Sequence, residues 1–240
     1  MLVPTAERDP ALGLSIFHPL FRGVRAVMYN SFEERALINA VSGNEHVPGV
    51  VVGVGSAIPP AVAPDRARQK FALTNPFIIY VGRIDANKGC AELFDFFLQY
   101  VDASPRPIDL VLIGNPVLRI PSHPRIRHLG YVTDQDKFDA IAGAEALVMP
   151  SYYESLSMVA LEAWALGRPV IATRNCEVLK GQCIRRNAVR YYENYSEFVG
   201  TLGPREQNRR LKGTIGRNGG SVVRRHYDTP VMGGKAPLRV

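Results

Sequence analysis

Two glutamates with seven residues between them, Glu154 and Glu162, stand where this chain is best equipped for chemistry. They lie in M-P-S-Y-Y-E-S-L-S-M-V-A-L-E-A-W-A-L-G-R-P-V-I-A-T, Met149 to Thr173. Apolar residues recur there at helical spacing (Leu156, Val159, Ala160, Ala163, Trp164, Leu166), and Gly167 and Pro169 stop the pattern. On one helix, at ~1.5 Å and ~100° per residue, the glutamates stand roughly 12 Å apart along the axis and about 80° apart around it. Both can then face one groove. The free N–H groups of the first turn, near Ser155, Leu156, Ser157 and Met158, make a seat for an anion between them. Carboxylates accept hydrogen bonds from hydroxyl pairs and a helix start takes negative charge, so the row suits a sugar, a diphosphate and a ribose. The plainer account makes Glu154 a carboxylate that complements the helix dipole and Glu162 a surface residue. Leu161, Ala163 and Trp164 weigh against the second part, because an unpaired buried carboxylate is costly.

A second cluster carries the opposite charge. Phe77 to Val81 is a fully apolar run, typical of a strand buried on both faces, and it empties into G-R-I-D-A-N-K-G at Gly82 to Gly89. A helix from Ala91 to about Val101 follows. Strand, glycine-bearing loop with Arg83 and Lys88, and helix together make an anion pocket at the carboxyl end of a sheet strand. As an isolated loop, the same two cations read more readily as solvated charges. Gly49 to Pro60 is a strand running into a glycine turn that includes Gly55, but its spacing is not G-x-G-x-x-G and no helix follows directly.

The elements that position these groups alternate strand and helix, the grammar of a parallel sheet with crossover helices. Further strands are expected at Arg25–Tyr29, Ile108–Ile113, Ile126–Leu129, Ala146–Met149, Val170–Thr173 and 188–192. Ser31 and Glu34 form a capping box for a helix to about Val41. Asp65–Phe71 is a helical stretch in a polar connector. Thr133 or Asp134 caps a helix over Gln135–Ala142, and Ser196 a short one over Glu197–Leu202. Residues 205–227 suggest one or two basic helices broken by glycines, and 228–240 a frayed tail.

Composition narrows the classes. With 46% apolar and 21% charged residues, the 240-residue chain reads as an ordinary globular protein with one sizeable core. Its net charge of +7 is spread rather than concentrated in a nucleic-acid motif, so nucleic acid is not an expected partner. Cys90, Cys176 and Cys183 are scattered, with no C-x-x-C, which argues for a reducing compartment and against structural zinc. Glu7, Arg8 and Asp9 interrupt any signal-peptide core, and no apolar run approaches the ~20 residues of a membrane span. A soluble, cytoplasmic protein is expected, with peripheral membrane contact left open.

The segment P-S-Y-Y-E-S-L-S-M-V-A-L-E-A-W-A-L-G-R-P-V-I resembles the E-x7-E segment of the group-one family of retaining, GT-B-fold glycosyltransferases. Strand-G-R-I-D-A-N-K-G resembles that family's second signature. L-V-L-I-G, then I-R-H-L-G-Y-V, then D-K-F-D-A-I-A-G-A-E-A-L-V-M-P-S also look like it. The resemblance implies an α/β fold: one Rossmann-like GT-B half, a parallel sheet with helices on both faces. It implies a remnant of the acceptor-binding half over 1–48, a donor-binding domain over 49–227 and a tail over 228–240. By that likeness Arg83 and Lys88 neutralise the departing diphosphate, with Gly82 and the helix start at Ser155–Met158 beside it. Glu154 orients the donor sugar and Glu162 holds the ribose. Tyr131 and Val132 sit at the nucleobase, and Gly55 belongs to the interdomain linker. No cofactor and no obligatory metal are implied, since no D-x-D stands near a strand end. The implied partners are a UDP-, GDP- or ADP-sugar donor and a sugar, lipid or small-molecule acceptor. Two departures stand out. Most of the first domain lies outside this chain, so the acceptor side has to come from another chain, or the chain is a non-catalytic nucleotide-sugar-binding module. N-A-V-R-Y-Y at Asn187–Tyr192 also replaces a smaller, glycine-containing turn.

Overall fold

In a computed structural model of the chain, residues 17–52, 55–184 and 189–203 are described. The basic stretch after 204 and the tail over 228–240 fall outside them. The order of elements is α1 (His18–Gly23), β1 (Val27–Tyr29), α2 (Phe32–Ser42), β2 (Gly49–Val51), α3 (Pro64–Lys70), β3 (Phe77–Val81), α4 (Cys90–Ala103), β4 (Asp109–Ile113), β5 (Ile126–His128), α5 (Asp134–Gly143), β6 (Ala146–Met149), α6 (Met158–Ala165), β7 (Val170–Thr173), α7 (Glu177–Ile184), β8 (Val189–Tyr192) and α8 (Tyr195–Thr201).

Six strands form one parallel sheet in the order β5-β4-β3-β6-β7-β8. The chain builds outward from β3 to β5, returns to lay β6 against β3, and builds outward again. β3 and β6 therefore flank the topological switch point, where open α/β sheets take ligands at the carboxyl ends of their strands. β3, β4, β6 and β7 are buried along their whole length, as parallel strands covered on both faces must be. Alternate residues feed two cores. Phe77, Ile79, Val81, Leu147 and Met149 pack with Ala67 of α3, Ile141 of α5, Leu161 and Trp164 of α6 and Leu179 of α7. Ile78, Tyr80, Leu112 and Val148 pack on the other face with Leu93 and Phe97 of α4 and Phe198 of α8. The expected α/β architecture, a parallel sheet with helices on both faces, is the one observed.

The smaller sheet is a parallel pair, β1 and β2, with Met28 opposite Val50. The strand at Gly49 thus pairs back with the N-terminal segment. Ser31 accepts from the Glu34 N–H at 3.1 Å, and the Glu34 carboxylate returns to the N–H of Asn30 at 2.5 Å, one residue before the cap. Both helices after β7 differ from expectation. α7 forms where the pattern loosens, despite Gly181 in its interior. α8 starts two residues early, because Asn194 and not Ser196 caps it, accepting from Glu197 N–H at 3.0 Å.

Candidate functional site

The β3–α4 crossing starts at Gly82 and turns through a single 3₁₀ turn, Ala86–Lys88. Asp85 starts that turn by accepting from Asn87 N–H at 2.9 Å, and it pairs with Arg83 Nε at 3.0 Å. Tyr80, buried in β3, donates to the Arg83 carbonyl at 2.7 Å. Burial first, then Cys90 and the carboxylates of Glu154 and Asp85, raise the Tyr80 phenol far above its ordinary value, so it stays a donor. Cys90 is likewise pushed up by burial, which makes it an inert packing thiol.

Gly89 closes the loop at φ +70°. A Cβ there would lie 2.1 Å from the carbonyl oxygen of Pro150, so only glycine lets the β3 and β6 crossings approach this closely. Gly114, at φ +130°, plays the same part between β4 and β3: a Cβ would meet the Gly82 carbonyl at 2.0 Å.

The β6–α6 crossing brings the opposite charge to the same place. Lys88 Nζ donates to Glu154 Oε1 at 2.8 Å. Tyr152 Oη donates to Glu92 Oε2 at 2.5 Å, a second tie between the two crossings. Burial and that hydrogen bond push the Tyr152 phenol up to about 12. Beside the Lys88–Glu154 pair lies a cavity of about 220 Å³, lined by Tyr80 and Val81 from β3, Gly82 and Lys88 from the loop after it, Met149 from β6, Ser151 and Glu154 from the next loop, and Leu156 to Val159.

α6 begins later than its apolar pattern predicts. Ser157 is its cap, accepting from Ala160 N–H at 3.3 Å. Glu154 and Ser155 are therefore loop residues, and the axial spacing of Glu154 and Glu162 expected for one helix does not apply. The first-turn N–H groups are those of Met158 and Val159, not of Ser155 and Leu156.

Of the residues singled out by sequence, Lys88, Glu154, Gly82, Leu156, Ser157 and Met158 line this one cavity. Ser155 sits half-buried between two of them. Arg83 does not line it; its side chain is 60% exposed on Asp85. Tyr131 is 86% exposed, and Val132 packs on the sheet's first core. Gly55 is half-buried in the loop before Ser56.

Glu162 is buried at the side of α6, where Oε1 accepts from Ser56 Oγ at 2.7 Å and from Lys137 Nζ at 3.1 Å. Lys137 and Ser56 went unnoticed in the sequence, and so did the tie from Tyr152 to Glu92. Each pairs with a residue 25 or more positions away, and no local spacing signals it. Among the described residues no group of three or more His, Cys, Asp or Glu could hold a metal ion, and no helix is long and apolar enough to cross a membrane.

A parallel sheet whose switch point carries a lysine, a glutamate and a helix start around one cavity defines the class as an open, doubly wound α/β protein. Comparison with known proteins makes the class specific. The family model for group 1 glycosyl transferases matches residues 75–196, just over half of the chain, and the chain belongs to that family. It is 26% identical over 174 residues to mannosylfructose-phosphate synthase of Agrobacterium fabrum, a match covering 65% of this chain and 38% of that protein. It is 32% identical over 123 residues to the lipopolysaccharide core biosynthesis glycosyltransferase LpsE of Rhizobium meliloti, covering 48% and 34%. The chain thus spans little more than a third of these relatives. Among solved structures, Alr3699/HepE of Anabaena superposes with a TM-score of 0.77 at 17% identity, over 97% of this chain and 68% of that one. This last likeness concerns the fold, that of GT-B glycosyltransferases.

Proposed function

We propose that this chain is the donor-binding half of a retaining glycosyltransferase, holding a nucleoside-diphosphate sugar at the carboxyl ends of β3 and β6. The observation that carries the reading is the Lys88–Glu154 pair set beside a cavity that the start of α6 helps to line. The bond from the anomeric carbon to the diphosphate breaks, and the diphosphate takes the electron pair. The acceptor's hydroxyl oxygen bonds the anomeric carbon from the same face and gives its proton to the departing diphosphate. Lys88 and the N–H groups of Met158 and Val159 offset that growing charge, the kind of stabilisation that lowers such barriers most. Arg83 joins them by exchanging Asp85 for phosphate, which its exposure allows. Glu154 orients the sugar hydroxyls, Glu162 takes the ribose side, and Tyr131 and Val132 lie toward the base. Lysine, arginine and helix start together perform the part of a divalent ion, so no metal is required.

Two further points belong to the same reading. HepE was solved in complex with UDP-glucose, and with UDP and glucose, which makes UDP-sugars the first donors to try. The acceptor, a sugar, lipid or small molecule, docks on groups beyond the donor cleft, supplied by a further polypeptide segment or partner chain. Without them the donor is captured but not consumed.

A thermal-shift screen with UDP-, GDP- and ADP-sugars tests the reading, because a ligand that binds only the native state raises its melting temperature. One class is expected to raise it. Calorimetry then separates the roles: Glu162→Ala weakens nucleotide affinity, while Glu154→Ala chiefly erases discrimination between sugars. Wild-type affinity for nucleotide and nucleotide-sugar in both variants would refute the assignment.

A further inference from the structure

The two oxygens of Glu162 live in different surroundings. The residue is 4% exposed. Oε1 takes two donors, Ser56 Oγ and the Lys137 ammonium, whereas Oε2 is buried with no hydrogen-bond partner. A buried carboxylate oxygen left without a donor is expensive, and such an atom in a native fold asks for a missing partner.

Lys137 is itself held in place. Its side chain is 19% exposed, and its ammonium lies 3.4 Å from Asp134 Oδ1 and over the ring of Phe138. Glu162 follows Met158, which lines the cavity, by one helical turn; it does not line the cavity itself but lies directly behind that part of its wall. Ser56 approaches it from the loop after Gly55.

We propose that Lys137 is a specificity-determining residue of the donor site. With Ser56 it occupies Oε1 of Glu162, so that only Oε2 is left to accept from the donor, and the site reads one ribose hydroxyl instead of the diol. An unencumbered carboxylate has acceptor sites on both oxygens and can take both hydroxyls of a cis-diol. Lys137 and Ser56 remove one of them. The inference rests on the reading of Glu162 as the ribose-side residue, and it adds which chemical feature of the nucleoside is recognised and what sets the limit.

The test is titration calorimetry of the full chain with UDP, GDP and ADP, and with the 2′-deoxy and 3′-deoxy forms of whichever binds. In the wild type one deoxy form is expected to lose about tenfold or more in affinity, the usual scale for a hydrogen bond to a charged group, and the other to stay within about twofold. In Lys137→Met, Oε1 is released to the second hydroxyl and both deoxy forms lose affinity alike. Ser56→Ala shifts the ratio the same way by less, and serves should Lys137→Met fail to fold. A lysine with only a structural role would weaken all three nucleotides together and leave their ratios untouched. Equal losses for both deoxy forms in the wild type, no loss for either, or ratios unmoved in both variants overturn the proposal while the donor cleft stands. If none of the three diphosphates binds, the cleft reading fails and this inference with it.

Discussion

Two strand-to-helix crossings meet at the switch between β3 and β6, and they differ in charge and in how their helices begin. The crossing out of β3 carries the cations Arg83 and Lys88, and its helix starts at Gly89 with no side-chain cap, its open space filled by the Pro150 carbonyl. The crossing out of β6 carries Glu154, and its helix starts at Ser157 with a side-chain cap and faces the cavity. One helix start is closed by protein and the other opens on the cavity. Fold topology alone makes both ends equivalent; the local residues decide which becomes a site.

Breaking the cation of that comparison has the largest expected effect. Lys88→Met is expected to lower sugar transfer, measured with the acceptor side present, by about 10²-fold or more, the scale seen when one preorganised charge-stabilising group is removed. A rate within a few-fold of wild type would remove Lys88 from the chemistry. Gly89→Ala attacks the closure between crossings. It forces a Cβ onto the Pro150 carbonyl at a positive φ, so denaturant unfolding should show a loss of at least ~2 kcal/mol. An unchanged midpoint would mean the two crossings do not depend on that contact.

Arg83→Met sharpens the contrast between the two cations. Because Arg83 is exposed and satisfied by Asp85, its loss should weaken diphosphate binding only about fivefold at moderate salt, less than the loss of Lys88 does in the same titration. Equal effects in calorimetry would show that both enter the site together.

The smallest effect is on stability away from the cleft. The hydrogen bond from Lys70 holds the Asp136 carboxyl below the ordinary aspartate range, aided by Thr133 against the opposing effect of burial. Burial pushes Asp139 up, but Arg66, the Ala63 N–H and Gln135 together outweigh it and hold that carboxyl low as well. Both therefore stabilise the fold in their ionised form. That contribution is whole above the ordinary aspartate value of about 4 and fades as pH falls below it through the depressed values. Asp136→Asn should flatten the acid limb of a melting-temperature profile slightly; a limb as steep as wild type would contradict the pairing.

Much of this architecture was legible in the sequence. β3, β6 and β7 match their apolar runs residue for residue, because a strand buried on both faces needs an unbroken apolar string. Ser31 and Glu34 announced α2, and Thr133 announced α5, each by a side chain that accepts from an N–H three residues on. The start of α6 was harder to read. Y-Y-E-S-L-S offers two serines, and only tertiary packing, with Leu156 buried, makes Ser157 the cap. Arg83 and Lys88 look alike in the loop sequence, and what separates them is Asp85, which holds one away from the cavity. Lys137 reads as one more charge on a polar helix; its meeting with Glu162 depends on α5 lying beside α6, which no local pattern encodes.

The most direct test of the cleft is hydrogen–deuterium exchange of the whole chain with and without saturating UDP-glucose, or whichever nucleotide-sugar the thermal screen selects. Slower exchange is expected at Gly82–Gly89 and at Glu154–Val159, the two segments that meet at the switch point. Slowing elsewhere, with both of those segments unchanged in the presence of bound ligand, would contradict the account.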